Sequence, residues 1–195
     1  MAFQGCAISC GGNAVILLKV EHFNYSGNIY LSGMPGSGKT TLGRELADFL
    51  YISFYDLDHY IELQAGKDIN RIFQEDQESG FRAIENRSLK RLTELPEAKV
   101  VATGGGTPCF HDNMDYMNEH GTTIFLDVPL EIIAERLSLQ GTGDRPLLKN
   151  KTSRELLGQL YEHFEQRKPY YLKARIHLEG GEITLEHIIN ELSTL

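Results

Sequence analysis

The stretch Gly33-Met34-Pro35-Gly36-Ser37-Gly38-Lys39-Thr40 decides the fold of this chain, because it fits the pattern G-x-x-x-x-G-K-[ST]. It stands between a short apolar run and a stretch with helical apolar spacing, the strand–loop–helix context that a phosphate-binding loop (P-loop) requires. In such a loop, backbone N–H groups and the helix amino terminus surround phosphate oxygens. Lys39 is expected to reach the β and γ phosphates, and the Thr40 hydroxyl to ligate Mg²⁺. The sequence therefore predicts binding of a nucleoside triphosphate with magnesium.

Short apolar runs alternate with amphipathic stretches from residue 28 onward, which is typical of βα units. Five runs read as strands: Ile29–Ser32, Ile52–Asp56, Lys99–Thr103, Thr122–Val128 and Arg175–Leu178. Helices are predicted from Lys39, over 80–95, from Pro129 to Leu139, and from Thr152 to about Lys168, where Pro169 is expected to end the last one. We therefore expect an α/β P-loop fold of three layers, a five-stranded parallel sheet with helices on both faces.

The length of 195 residues fits one compact domain, since chains usually divide only beyond about 250 residues. Residues 1–27 show neither helical nor strand spacing, and we treat them as an amino-terminal extension without an assigned role. The domain is assigned to residues 28–195. Within it, residues 140–152 lack apolar spacing and contain Gly141, Gly143 and Pro146. This composition predicts a mobile lid.

The charge balance and the cysteine content exclude several classes of protein. Nineteen Lys and Arg residues stand against 27 Asp and Glu residues, which gives a formal net charge of −8 and disfavours nucleic-acid binding. No apolar run approaches the ~20 residues that cross a bilayer, so we expect no membrane association. Cys6, Cys10 and Cys109 are too few for a disulfide scaffold and lack the spacing of a structural zinc site. We expect a cytoplasmic monomer.

Two aspartates, Asp56 and Asp58, end the second predicted strand. The carboxyl ends of parallel strands are where α/β sheets place ligands, and side chains two residues apart on a strand share a face. One carboxylate could then hold magnesium-bound water while the other accepts a hydrogen bond from an attacking hydroxyl. The alternative is that either aspartate caps a helix over residues 59–64.

Further polar motifs fall near the same sheet edge. Arg82 and Glu85 lie three residues apart in a predicted helix, which fits either an arginine oriented to bind a carboxylate or an exposed ion pair. Gly104–Gly106 follow the third strand, where backbone can approach a ligand closely. Arg145 in the lid could deliver a charge to phosphate. Arg167, before Pro169, adds another cation, which taken alone could be no more than a charge that complements the helix dipole.

Taken in order, these motifs resemble those of the shikimate kinase family over nearly the whole chain, from about Asn28 to Leu195. The motifs are Gly33-x-x-x-x-Gly-Lys-Thr40, Phe54-x-Asp-x-Asp58, Phe81-Arg-x-x-Glu85, Gly104-Gly-Gly106, Arg145-Pro-Leu-Leu148 and Arg167-x-Pro-x-Tyr171. Each motif is weak alone, whereas six in one order are specific. The resemblance implies transfer of the γ-phosphoryl group of ATP to the 3-hydroxyl of shikimate, in aromatic amino acid biosynthesis.

The resemblance also implies a role for individual residues. Asp58 is expected to bind the shikimate hydroxyls and to be the catalytic base. The other implied catalytic residues are Lys39, Arg145 and Asp56. The implied substrate-binding residues are Asp58, Arg82, Gly105 and Arg167. The implied ATP-binding residues are Gly36, Ser37, Gly38, Lys39, Thr40, Thr41, Arg136 and Arg145, with Thr40 and Asp56 at the Mg²⁺ ion.

Two other functions fit the P-loop pattern. One is a different small-molecule kinase, of the gluconate or nucleotide type. The Arg82–Glu85 spacing and the glycine run argue against it, because they indicate a small pocket that binds a carboxylate. The other is a catalytically silent ATP-binding module. Loss of Lys39, Asp58 or Arg145 would favour the silent module, and all three are present.

Overall fold

The computed structural model describes residues 25–139 and 153–195, so the lid segment and residues 1–24 lie outside the described residues. The described residues form five strands and seven α-helices. The strands are β1 (Asn28–Ser32), β2 (Ser53–Asp56), β3 (Lys99–Ala102), β4 (Gly121–Asp127) and β5 (Ile176–Glu179). The helices are α1 (Lys39–Leu50), α2 (Leu57–Ala65), α3 (Ile69–Thr93), α4 (Asn113–His120), α5 (Leu130–Leu139), α6 (Ser153–Tyr171) and α7 (Leu185–Leu192), and a 3-10 turn spans Thr107–Cys109.

The five strands form one parallel sheet in the order β2-β3-β1-β4-β5. The central strand β1 pairs on one side with β3, where Leu31 lies opposite Ala102, and on the other with β4, where Leu31 lies opposite Ile124. The predicted five-stranded parallel sheet is confirmed. The connection from β1 leads towards β2, whereas the connection from β3 leads the opposite way, towards β4. The carboxyl ends of β1 and β3 therefore flank a switch point, where α/β sheets bind ligands.

Alternate residues of β1 face two different hydrophobic cores. Ile29 and Leu31 pack with residues of α1 and α7, whereas Tyr30 packs with residues of α2, α3 and α4 on the other face. All three side chains have no exposed surface. The predicted three-layer arrangement is therefore confirmed. Within the described ranges, no helix has the length and apolar character to cross a membrane.

Helix α3 begins earlier and is longer than predicted. A helix is predicted over 80–95, whereas α3 begins at Ile69, where Asp68 caps it by accepting a hydrogen bond from the Arg71 N–H at 2.7 Å. The helix is kinked at Gln77, whose φ of 59° and ψ of −177° are not helical. The kink disrupts the continuous helical spacing that would have revealed the first half.

The prediction that Pro169 ends the helix after the lid is wrong, because α6 continues through it to Tyr171. Proline removes one backbone donor and crowds the preceding turn, so a proline inside a helix needs support from elsewhere. Tyr171 gives that support, since its side chain is fully buried in the core. The predicted cap at Thr152 lies outside the described residues.

The backbone at Gln77 predicts a stabilising substitution. Its φ and ψ fall in a region that only glycine adopts without strain, at a cost of about 1–3 kcal/mol for other residues. We expect Gln77→Gly to raise the free energy of unfolding by roughly 1 kcal/mol after the greater freedom of glycine in the unfolded chain is subtracted. Urea denaturation measures this change.

Gln74→Gly is the matched control, because Gln74 is an exposed residue of the regular part of the same helix. That variant should lose about 1 kcal/mol. If both variants were destabilised alike, Gln77 would not be strained.

Candidate active site

The P-loop lies between β1 and α1, as its sequence pattern requires. Gly38 precedes α1 with a φ of 97°, and Gly33 has a φ of 139° and no space for a side chain, since a Cβ there would lie 2.7 Å from the Leu126 carbonyl oxygen. The Lys39 ammonium donates to the carbonyls of Gly33 at 2.9 Å and Met34 at 2.8 Å. The loop therefore closes around a buried positive charge.

The Ser37 hydroxyl is buried within this loop and has no hydrogen-bond partner among the described residues. An unpaired buried polar group costs about 1–3 kcal/mol, so such groups normally have a partner. A phosphate oxygen is a suitable acceptor for this hydroxyl. The position thus fits the nucleotide that the sequence predicted.

Two oxygen-bearing side chains that suit a hard cation lie beside the P-loop. The Thr40 hydroxyl donates to Asp56 Oδ2 at 2.8 Å, and Asp56 Oδ1 accepts a hydrogen bond from the His59 N–H at 3.3 Å. Asp56 is therefore the residue that caps α2, while its other oxygen remains directed at Thr40. Hydroxyl and carboxylate oxygens are the ligands that Mg²⁺ prefers, so these two residues fit the ion.

Asp58 does not lie on a strand, which corrects the expectation that it shares a strand face with Asp56. Strand β2 ends at Asp56, and Asp58 stands in the first turn of α2. A carboxylate is stabilised there by the positive end of the helix dipole. The side chain nevertheless lies at the same edge of the sheet, next to the loop that follows β3.

Gly104–Gly106, the glycine loop, bring three predicted substrate-binding side chains together. A Cβ on the first glycine would lie 3.0 Å from Asp58 Oδ1, on the second 3.0 Å from Arg167 Nη1, and on the third 2.6 Å from Arg82 Nη2. These distances are shorter than nearly all ordinary Cβ contacts. The protein's own side chains therefore occupy the space that the missing Cβ atoms leave.

Arg82 is held by two carboxylates. Its Nη1 donates to Glu85 at 2.9 Å and its Nη2 to Glu78 at 3.2 Å. Glu85 is buried and also accepts a hydrogen bond from the Thr107 hydroxyl at 2.5 Å. The orienting contact between Arg82 and Glu85 is present, whereas the Glu78 contact was not anticipated, although its i,i+4 spacing could have indicated it.

Aromatic rings surround the same guanidinium. The Arg82 side chain is only 11% exposed, and its carbon Cζ lies 4.4 Å from the ring centre of Phe110, 5.1 Å from Phe81 and 6.0 Å from Phe73. Its Nε is buried without a hydrogen-bond partner among the described residues. Removal of water strengthens the attraction between a guanidinium and an anion. This arrangement fits capture of a carboxylate, and Phe110 was missed because no sequence spacing marks such a contact.

Cys109 lies at the end of the 3-10 turn and is electrostatically coupled to both arginines. Burial raises the pKa of its thiol to about 11, although the Arg167 and Arg82 guanidinium groups oppose the shift. The thiol is therefore neutral at physiological pH. A neutral thiol is a poor nucleophile, so Cys109 contributes only an uncharged surface near the two arginines.

Arg136 lies on α5 and connects two segments near the P-loop. Its Nη1 is 3.5 Å from the carbonyl oxygen of Gly36, and its Nη2 donates to the carbonyl of Gly181 at 3.2 Å. Arg136 thus lies beside the P-loop, a position that fits its predicted role in ATP binding. Arg145 lies outside the described residues.

Comparison with known proteins adds to this geometry. The family model "Shikimate kinase" matches residues 35–194. A shikimate kinase of Parabacteroides distasonis is 41% identical over 165 residues, which cover 85% of this chain and 94% of that protein.

Two crystal structures are also similar. The shikimate kinase of Bacteroides thetaiotaomicron has a TM-score of 0.79 and 37% identity, covering 86% of this chain and 97% of that one. The structure "Shikimate kinase from Acinetobacter baumannii in complex with shikimate" has a TM-score of 0.75 and 32% identity, covering 90% of this chain and 95% of the other. The chain belongs to the shikimate kinase family.

Proposed function

We propose that this protein transfers the γ-phosphoryl group of ATP to the 3-hydroxyl of shikimate, producing shikimate 3-phosphate and ADP. The observation that carries the proposal is the convergence of Asp58, Arg82 and Arg167 on the glycine loop, next to a P-loop. Two guanidinium groups suit the single carboxylate of shikimate, and a carboxylate suits its hydroxyls. Family membership supports the same reaction.

On the acceptor side, Arg82 and Arg167 bind the shikimate carboxylate in this proposal. Asp58 accepts a hydrogen bond from the hydroxyl and receives its proton as the oxygen attacks phosphorus. Gly105 lines the pocket, and its lack of a side chain leaves room for Arg167. Because phosphoryl transfer has a loose transition state, orientation of the hydroxyl contributes more than the basicity of Asp58.

On the donor side, the P-loop residues Gly36–Thr41 and Arg136 bind ATP in this proposal, and Arg145 adds positive charge at the phosphates. Thr40 and Asp56 hold Mg²⁺. When bound, the ion neutralises charge on the β and γ phosphates. The cytoplasmic location, the monomeric state and the domain boundary at residue 28 stay predictions from the sequence.

The first test is an assay that couples ADP release to a spectroscopic signal, with Mg²⁺ and ATP present and with shikimate, gluconate, a nucleoside monophosphate or no acceptor. We expect release that depends on shikimate. Release with another acceptor instead would retain ATP binding and overturn the proposed acceptor. ATP binding without release would favour the silent module.

In the same assay, Asp58→Asn should lower kcat at least about a hundredfold, since a general base typically contributes that much. The substitution keeps the size of the side chain, so circular dichroism should show an unchanged fold. Asp48→Asn, at an exposed position of α1, is the matched control and should retain activity. Near-normal turnover in Asp58→Asn would contradict the role of Asp58.

Arg167→Ala tests the carboxylate clamp. We expect the KM for shikimate to rise by about tenfold to a hundredfold, because a hydrogen bond to a charged group is lost, while the KM for ATP stays the same. Arg91→Ala, at an exposed position of α3, should change neither value. An unchanged shikimate KM in Arg167→Ala would exclude Arg167 from the clamp.

Asp56→Asn tests the magnesium site. Asparagine caps a helix as well as aspartate does, so the contact with the His59 N–H and the fold should persist. Loss of the negative charge should raise the Mg²⁺ concentration for half-maximal rate about tenfold or more. A titration with Mg²⁺ at constant ATP measures this value, and an unchanged midpoint would remove Asp56 from the site.

A further inference from the structure

Tyr171 occupies an unusual position at the end of α6. Its side chain is fully buried, although its neighbours Tyr170 and Leu172 are 39% and 51% exposed. It follows Arg167 by four residues, so the two side chains lie on the same side of the helix, one turn apart. Any contact that fixes Tyr171 therefore also fixes the turn that carries Arg167.

The Tyr171 hydroxyl joins three segments of the chain. It donates a hydrogen bond to the Gly105 carbonyl at 2.5 Å and lies 3.7 Å from the sulfur of Met34 in the P-loop. Its ring stacks on Phe125 of β4, with centres 4.9 Å apart. Burial raises the pKa of Tyr171 far above its ordinary value, so the hydroxyl keeps its proton and remains a donor at physiological pH.

Three consecutive glycines have more backbone freedom than any other tripeptide. The carbonyls of Gly104 and Gly106 accept backbone hydrogen bonds from Thr107 and Cys109, and Tyr171 adds the contact to the carbonyl of Gly105 between them. The carbonyl of Gly105 and the N–H of Gly106 belong to one trans peptide plane and point in opposite directions. A hydrogen bond to that carbonyl therefore fixes the direction of the Gly106 N–H as well. It also fixes the surface of Gly105 against which Arg167 packs.

Arg167 itself has weak anchors. Its Nη1 lies 4.0 Å from the Met34 sulfur, and a thioether is a poor acceptor. Among residues 25–139 and 153–195, Arg167 forms no salt bridge. The placement of its guanidinium thus depends on the helix turn, on the glycine loop and on the Tyr171 hydroxyl, which interacts with Arg167 as well as with Gly105.

We infer that Tyr171 is a positioning residue for the acceptor: its hydroxyl locks the Gly105–Gly106 peptide and holds Arg167 in register with the glycine loop and the P-loop. This inference rests on the proposed function, in which Arg167 receives the shikimate carboxylate. It assigns to Tyr171 no contact with substrate. Its effect is expected on acceptor binding and not on ATP binding.

The test compares Tyr171→Phe with Tyr30→Phe. Tyr30 is also fully buried, and its hydroxyl lies 2.9 Å from Thr93 at the end of α3, so each variant removes one buried hydroxyl contact. Thermal denaturation should show a comparable decrease in Tm. Only Tyr171→Phe should raise the KM for shikimate, by about threefold to tenfold, with the KM for ATP unchanged.

A double-mutant cycle adds a readout that a purely structural role would not move. Because Tyr171 acts through Arg167, the effects of Tyr171→Phe and Arg167→Lys on the shikimate KM should be less than additive. Tyr30→Phe and Arg167→Lys should be additive. If Tyr171→Phe is unstable at the assay temperature, the same KM values are measured on all variants at a lower one.

The outcomes separate the two proposals. If the unsubstituted protein releases ADP with shikimate and Tyr171→Phe has an unchanged shikimate KM, the positioning role is overturned and the proposed function stands. If Tyr30→Phe raises that KM equally, the effect is one of general stability, and the positioning role is again overturned. If the unsubstituted protein shows no release with shikimate, the proposed function fails and this inference fails with it.

Discussion

The proposed acceptor half of the site, formed by Asp58, Arg82, Arg167 and the glycine loop, depends on the absence of side chains at Gly104–Gly106. A Cβ atom on Gly106 would lie within 2.9 Å of three atoms of the Arg82 guanidinium, which real Cβ contacts do not allow. The backbone of Gly106, with a φ of −94°, is one that any residue can adopt, so the requirement is for space and not for conformation. Gly33 and Gly38 in the P-loop, whose φ values are positive, meet a conformational requirement instead. Two glycine clusters at one sheet edge thus serve different physical purposes.

In the proposed function, the charges around this space explain why one arginine would not be enough to bind an anionic acceptor. A buried guanidinium needs a compensating charge, and Arg82 has it in Glu85, which is itself buried. The pair is close to neutral before any ligand binds, and Glu78 adds a further negative charge at its exposed side. Arg167, in contrast, contacts a thioether and a glycine. In the proposed function, Arg167 would therefore supply the excess positive charge for an anionic acceptor, in a chain whose net charge is −8.

The sequence predicted the sheet well, because β-branched runs and flanking glycines mark each strand locally. It predicted helices less well where contacts with distant parts of the chain determine where a helix begins or ends. Asp56 and Asp58 fit a strand end and a helix cap equally, and only the folded chain shows that Asp56 caps the helix while Asp58 lies within it. Pro169 lies inside a helix because Tyr171, two residues later, is buried in the core. The motifs predicted which charged residues, Asp58, Arg82 and Arg167, lie around the glycine loop. The ring of Phe110 over Arg82 was not predicted, because it joins segments that only the tertiary fold brings together.

The P-loop, which is the proposed donor half of the site, is in direct contact with the glycine loop and with Arg167 of the proposed acceptor half. Pro35 in the P-loop approaches Gly105 so closely that a Cβ there would be 2.9 Å from its ring, and Met34 lies next to Arg167 and Tyr171. A displacement of the P-loop would therefore displace the residues proposed to hold the acceptor. Phosphoryl transfer gains most of its rate from alignment of the two reactants and from charge neutralisation. In the proposed function, direct packing of the two loops would hold the two reactants in alignment, which two loops without mutual contacts could not do.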